Sequence, residues 1–429
     1  MRIPIFNLLQ LSLSSLTRIF DFAPGADSFH RKLSPRFGIL TPYHDRESVL
    51  GVHPELPSDC TVNQVMLLHS YGSRGPTGEQ YYIQKLVETL ADATLPPHLP
   101  KNLRFLKNGY QSDLVPKELT IIGGKQLFDH GVQFALKYPT LTTDVILSTD
   151  EDRVFDSAYN FSLGYGKPVE ILTFNDIHLP VNWVLPWEEC PNFDPNSGMK
   201  IVYEWVNKYV PPITERLNNL LPGVGLSNDD VMGALYACPY DLAAHGVSPW
   251  CGVFLPEELK GLEYQLDLLM DGMSGHISMH DIGPVVGTVY INELIGRFTN
   301  ITGEAEELYL EFGHPLSILV AMAAMNLNKD RIPLSSSQIH SPRKFRTSDQ
   351  TPFGAWMIWE RLSCRQSFDG PQIRLLLNSA TYPLSICQKS FKDRKYGTCS
   401  LDEFVKANAF STNIHFEDET WYTVCGEDE

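Results

Sequence analysis

Val65-Met66-Leu67-Leu68-His69 runs directly into Ser70-Tyr71-Gly72-Ser73-Arg74-Gly75-Pro76, and this junction decides the fold. An unbroken apolar run this short predicts a strand buried on both faces, and the glycine- and proline-bearing segment after it predicts a sharp loop. Outward from it, residues 79 to 92 are expected to be helical. Leu119 to Tyr138 forms a second amphipathic helix, with Leu127, Gly131, Phe134 and Tyr138 on one face. Thr143 to Ser148 is a further strand, and Asp152-Arg153-Val154 opens the helix after it.

Between about 165 and 280 the character changes to helices and loops, with Ser227-Asn228-Asp229-Asp230 as an acidic helix start. Strand character returns at Leu308 to Phe312. Pro315 then opens a helix through Met325, at the one helical position where a missing N–H costs nothing. Residues 373 to 386 supply a last strand or two, and residues 1 to about 45 are irregular. Strand–helix alternation at both ends with a helical middle predicts an α/β domain, residues 45–165 and 281–429, interrupted by a mostly helical cap at 166–280.

The 429-residue chain carries a net charge of −17, which sets a long-range field against nucleic acid and anionic membranes as partners. No stretch beyond the N-terminus is apolar for the roughly 18 residues a membrane span requires. Eight cysteines, none in a C-x-x-C pair, argue against a zinc ribbon and for disulfides formed in an oxidising compartment. The sequons at Asn160 and Asn300 point to the same secretory route. Residues 1–25 are expected to be a signal peptide or a disordered leader, although Asn7 and Gln10 interrupt the apolar run.

Ordered blocks along the chain then carry a resemblance. They are Leu56-Pro57-Ser58-Asp59-Cys60, Tyr71 to Thr77, Leu119-Thr120-x-x-Gly123, Asp152-Arg153-Val154, Ser248-Pro249-Trp250-Cys251, Asn292-Glu293-Leu294, Phe312-Gly313-His314, Pro352-Phe353-Gly354 and Cys399 to Phe404. In order and spacing the chain resembles the fungal branch of the histidine acid phosphatases, which includes the phytases. The resemblance implies a phosphoglycerate-mutase-like three-layer α/β domain with an inserted helical cap. It also implies the pairings Cys60–Cys364, Cys190–Cys425, Cys238–Cys251 and Cys387–Cys399.

The same resemblance shows what is missing. In that family a histidine after the first strand attacks phosphorus, arginines neutralise the phosphoryl oxygens, and an aspartate in a His-Asp pair protonates the leaving group. Here Ser70 stands at the family's first arginine, Tyr71 at the nucleophile, and Pro315 follows His314 where the acid belongs. Arg74, Arg153 and His314 remain, so Ser70, Arg74 and Arg153 are the anion-binding candidates, and Tyr71 and His314 the catalytic ones. A phenol with a reference pKa of about 10 is a poor nucleophile near neutrality, and proline donates no proton.

His69 shares strand parity with Tyr71 and is a further pocket candidate, against the plainer reading of a buried core histidine. Ser73 lacks an Asp–His pair and makes no nucleophile elbow. His276 and His280 are four apart but sit among Met, Gly and Ser, so they are candidates for the pocket rather than metal ligands. No cofactor and no metal are implied. Gly78 to Lys85 carries Tyr81 and Tyr82 where fungal phytases carry lysines, so a less polar pocket mouth is expected.

The expected ligand is a small anionic or aromatic molecule. Ordinary phosphomonoesterase activity should be lost, and the pocket turned to dehydration, isomerisation or cyclisation of a small acid or polyketide-like molecule of fungal secondary metabolism. The alternatives are a non-catalytic pseudo-phosphatase that binds an anion or a protein, and hydrolysis by an altered route.

Overall fold

A computed structural model describes residues 37–46, 51–177, 179–276 and 282–426. The strands are β1 (Cys60–Ser70), β2 (Val145–Ser148), β3 (Glu170–Thr173), β4 (Leu308–Gly313), β5 (Trp356–Cys364), β6 (Gln372–Leu377), β7 (Ala380–Tyr382) and β8 (Thr398–Ser400). They form one sheet in the order β3-β2-β4-β1-β5-β6-β7, with β8 on β6. β1, β2, β3 and β4 run parallel, while β5 to β8 pair antiparallel.

The helices used below are α1 (Gln80–Asp92), α2 (Ile121–Lys137), α3 (Asp152–Tyr165), α4 (Met199–Leu220), α5 (Asn228–His245), α6 (Pro256–Ser274), α7 (Ile282–Thr299) and α8 (Pro315–Ala324). The apolar run of β1 is continuous because both its faces are covered. Val65 and Leu67 share one core with Phe134 of α2 and Phe161 of α3. Met66 and Leu68 share the other with Leu294 of α7 and Ile318 of α8. The three-layer α/β domain implied by the resemblance is thus the fold observed.

Helix starts follow the sequence signals. Thr120 Oγ1 accepts the Gly123 N–H at 2.9 Å and caps α2. Ser227 and Asp230 form a reciprocal capping box at the head of α5. Helices α2 and α3 pack backbone against backbone. A Cβ on Gly131 would lie 2.1 Å from the Phe161 carbonyl oxygen, so only glycine permits this approach.

Two elements cross the expected domain boundaries. β3 lies within 166–280 yet completes the sheet beside β2, because its register pairs Val145 with Glu170 through Ser148 with Thr173. α1 lies within 45–165 yet packs on α5 of the helical layer. A Cβ on Gly233 of α5 would meet the Tyr82 carbonyl oxygen of α1 at 2.2 Å. The helical layer therefore draws on residues from before β2 as well as after β3.

All four disulfides are formed in the pairing that the resemblance implies. Cys60–Cys364 joins directly opposed residues of β1 and β5. Each such bond typically contributes about 2–4 kcal/mol by restricting the unfolded chain.

Candidate anion-binding cleft

Parallel strands β1, β2 and β4 are neighbours, and their C-terminal ends deliver the candidate residues to one place. In open α/β sheets this edge is where ligands bind. β1 delivers Tyr71, β4 delivers His314 as the N-cap of α8, and the turn after β2 delivers Arg153 in the first turn of α3.

The loop after β1 is held tightly. Gly75 donates to the Glu118 carbonyl at 2.8 Å, and Thr120 N–H donates to the Ser73 carbonyl at 2.8 Å. A Cβ on Gly75 would lie 1.9 Å from the Val115 carbonyl oxygen, which requires the glycine. Ser73 is buried in this turn.

Tyr71 is only 6% exposed, and its ring is the meeting point of the cleft. The guanidinium carbon of Arg74 lies 5.4 Å from the ring centre and that of Arg153 lies 5.0 Å away. The His314 imidazole meets the phenol edge-on at 5.4 Å. The two retained arginines therefore converge. Arg74 Nη1 donates to the Gly75 carbonyl at 2.8 Å and to Tyr240 Oη at 3.1 Å. The Nε of Arg74 and the Nε of Arg153 are buried with no hydrogen-bond partner among the described residues. Buried donors of this kind normally find an acceptor, so two N–H groups in this cleft await one.

A carboxylate that the sequence reading did not single out completes the site. Glu151 Oε1 lies 2.8 Å from His314 Nε2 and 3.9 Å from Arg153 Nη2. Thr149 Oγ1 donates to the other oxygen of Glu151 at 2.5 Å. Burial pushes the Glu151 carboxyl up, but His314 and the Thr149 hydroxyl outweigh it and hold the group down at about 2. Glu151 thus stays ionised. Beside His314 it can orient the imidazole ring.

Other candidates are placed elsewhere. His69 is not in the cleft: it is wholly buried, stacked on Phe312 at 5.1 Å, with Nε2 3.0 Å from His130 Nδ1. Burial first, and then His130, hold its imidazole well below the usual range. The regular strand ends at Ser70, so the alternation that would put His69 beside Tyr71 does not extend to Tyr71. Ser70 is also wholly buried, and its hydroxyl faces the Tyr71 carbonyl at 3.5 Å, which withdraws it from ligand contact. His276 lines a separate hollow with Asp271, Lys329 and Asp330, apart from Tyr71 and both arginines. His280 and the leader at 1–25 lie outside the described residues. Among the described residues no cluster has the makings of a metal site.

A doubly covered mixed sheet, two arginines converging at the C-terminal edge of its parallel strands and a helical layer define an α/β fold of the histidine-phosphatase class. Residues 61–378 match the family model of the histidine phosphatase superfamily, branch 2, and the chain belongs to that family. It is 29% identical to a protein named phytase A from Arthroderma benhamiae over 418 residues, covering 87% of this chain and 89% of that protein. It is 27% identical to an acid phosphatase from Schizosaccharomyces pombe, covering 92% and 91%. In structure it is similar to the phytase from D. castellii, with a TM-score of 0.76 and 20% identity, covering 92% of this chain and 88% of that one. A multiple inositol polyphosphate phosphatase from Bifidobacterium longum, solved with inositol hexasulfate, shares the fold with a TM-score of 0.63 and 14% identity over 87% and 97% of the two chains.

Proposed function

We propose that the cleft binds one small anion and moves protons on it through Tyr71 and His314, without forming a phosphohistidine. The observation that carries this reading is the pair of unpartnered buried donors, Arg74 Nε and Arg153 Nε, around the phenol ring. Buried donors of this kind stabilise a carboxylate, enolate or phosphate oxygen. The Tyr71 hydroxyl then donates to that anion, and His314 accepts or returns a proton with its ring held by Glu151. Proton transfers of the kind used in dehydration, isomerisation and cyclisation of a small acid can run on such a set without an enzyme nucleophile. Four disulfides fit a secretory route for the protein.

Two other readings have specific support. The phytase and acid phosphatase relatives favour phosphate-ester hydrolysis, but residues 71 and 315 supply neither nucleophile nor acid. The Tyr71 ring, packed against both guanidiniums, favours a binder with no turnover.

Calorimetric titration of the purified protein with inorganic phosphate and benzoate tests the site, with Arg153→Ala expected to weaken binding at least tenfold. Metabolites that accumulate when the gene is deleted then test turnover. Conversion by the wild type, lost in Tyr71→Phe and His314→Ala, supports proton chemistry. Absence of conversion together with intact anion binding supports the binder.

A further inference from the structure

The groups in direct contact with the two arginines decide which kind of small anion the cleft takes, an inference that rests on the anion-binding reading above. Charge, donors and room all bear on it.

The charge is set by Glu151. Its Oε1 lies 3.9 Å from Arg153 Nη2 and 2.8 Å from His314 Nε2. Burial pulls its carboxyl upward, but His314 and the Thr149 hydroxyl hold it at about 2, so it is charged at any ordinary pH. Arg153 thus faces a fixed carboxylate on its Nη2 side and has its unpartnered Nε left for a ligand. A second negative charge on that ligand would sit within a few ångströms of Glu151, where like charges repel. With the His314 imidazole neutral, the form in which it accepts a proton, two guanidiniums and one carboxylate leave a single positive charge to be matched.

The donors point the same way. Arg74 Nη1 is engaged by the Gly75 carbonyl at 2.8 Å and by Tyr240 Oη at 3.1 Å. Ser70, where the resembled family carries a further arginine, is wholly buried. Among the described residues the buried unpartnered donors of the two guanidiniums are the Nε of Arg74 and the Nε of Arg153, one for each oxygen of a carboxylate. A phosphate dianion gives up more hydration on entering a buried site and needs more donors than these to replace it. The room is limited by the Tyr71 ring, 5.4 Å from the Arg74 guanidinium carbon, 5.0 Å from that of Arg153 and 5.4 Å from the His314 ring. Beside that ring a flat carboxylate needs less depth than a tetrahedral phosphate.

We infer that the cleft is a carboxylate site: a planar organic monoanion lies across Arg74 Nε and Arg153 Nε, and Glu151 is the specificity-determining residue that turns doubly charged phosphate away.

Benzoate and phenylphosphonate carry the same ring on the two kinds of anion, and at pH 8 the phosphonate is doubly charged. Calorimetric titration of the full-length protein with each, at pH 8 and fixed ionic strength, should find benzoate the tighter ligand by on the order of tenfold, the effect of one like-charge contact at a partly buried site. In Glu151→Gln that preference should fall towards one, through tighter phosphonate binding rather than weaker benzoate binding. Glu151→Asp keeps the charge and should keep most of the preference. Circular dichroism establishes that both variants are folded. Three results overturn the carboxylate inference while the anion site stands: phenylphosphonate binding the wild type at least as tightly as benzoate, Glu151→Gln retaining the wild-type preference, or Glu151→Asp losing it as fully as Glu151→Gln. If neither probe binds, the anion-binding reading fails and the inference with it.

Discussion

Tyr71→His combined with Pro315→Asp should turn this cleft into a phosphatase. Tyr71 is 6% exposed and its ring lies between His314 and the two guanidiniums. An imidazole is shorter than a phenol, so the substitution supplies a nucleophile and also frees space for a phosphoryl group beside Arg74 and Arg153. Pro315 is the first residue of α8, where its missing N–H leaves no hydrogen bond unmade. An aspartate there gains about 0.3–1 kcal/mol from the positive end of the helix. Loss of proline's rigidity costs about 0.4–1 kcal/mol, so the two effects nearly cancel. A positioned general acid is worth about 10²–10⁴ in rate, so the double variant should exceed Tyr71→His alone by at least about a hundredfold. The assay is steady-state hydrolysis of p-nitrophenyl phosphate between pH 4 and 7, with trapping of the phosphoenzyme and circular dichroism to establish folding. Robust wild-type turnover through a phosphoenzyme, or a folded double variant no faster than the wild type, would refute the reasoning.

Asp241 of α5 is buried with Tyr110 Oη 3.2 Å and Ser248 Oγ 3.4 Å from its Oδ2, and burial pushes its carboxyl up to about 7. A raised acid favours the protonated folded state, so the contribution of Asp241 to stability is fully present below about pH 4 and is lost as pH rises towards 7, by up to about 1.4 kcal/mol per unit of separation. Between pH 4 and 7 the melting temperature of Asp241→Asn should fall less steeply than that of the wild type. Gly131→Ala forces a Cβ to within 2.1 Å of the Phe161 carbonyl oxygen, and chemical denaturation should register a loss of about 1–3 kcal/mol. Replacing Cys238 and Cys251 by serine opens a link spanning 13 residues and should cost about 3 kcal/mol in the same assay. Asn300 lies in an exposed turn at φ 50°, whereas Asn160 sits within α3 with its amide donating to the Asp156 carbonyl at 2.8 Å. Glycopeptide mass spectrometry of secreted protein should therefore find a glycan on Asn300 and none on Asn160.

What the sequence made legible were the elements whose apolar pattern is uninterrupted. β1, α2, α3, β4 and α8 all fall within a few residues of their expected bounds. β5 escaped because Glu360 and Arg361 interrupt its apolar run. Glu360 is tolerated in the core only because Arg374 of β6 reaches it at 2.6 Å and Tyr138 donates to it from α2, partners distant in the chain. β3 escaped because a half-exposed edge strand of four residues carries almost no periodic signal. Of the cleft, Tyr71, Arg74, Arg153 and His314 were legible from their blocks. Glu151 was not, since in Asp150-Glu151-Asp152 it is one acid among three, and only the pairing of β2 with β4 carries it to His314.

The order of two disulfides along the chain has its own consequence. Cys60 bonds across to Cys364, and Cys190, which lies between them, bonds out to Cys425. Cleave the backbone once, anywhere from residue 60 to residue 425, and at least one of these bonds still spans the cut. A protease that nicks a surface loop releases nothing: the severed halves migrate as one species until a reductant is added, and the sheet keeps its strands together.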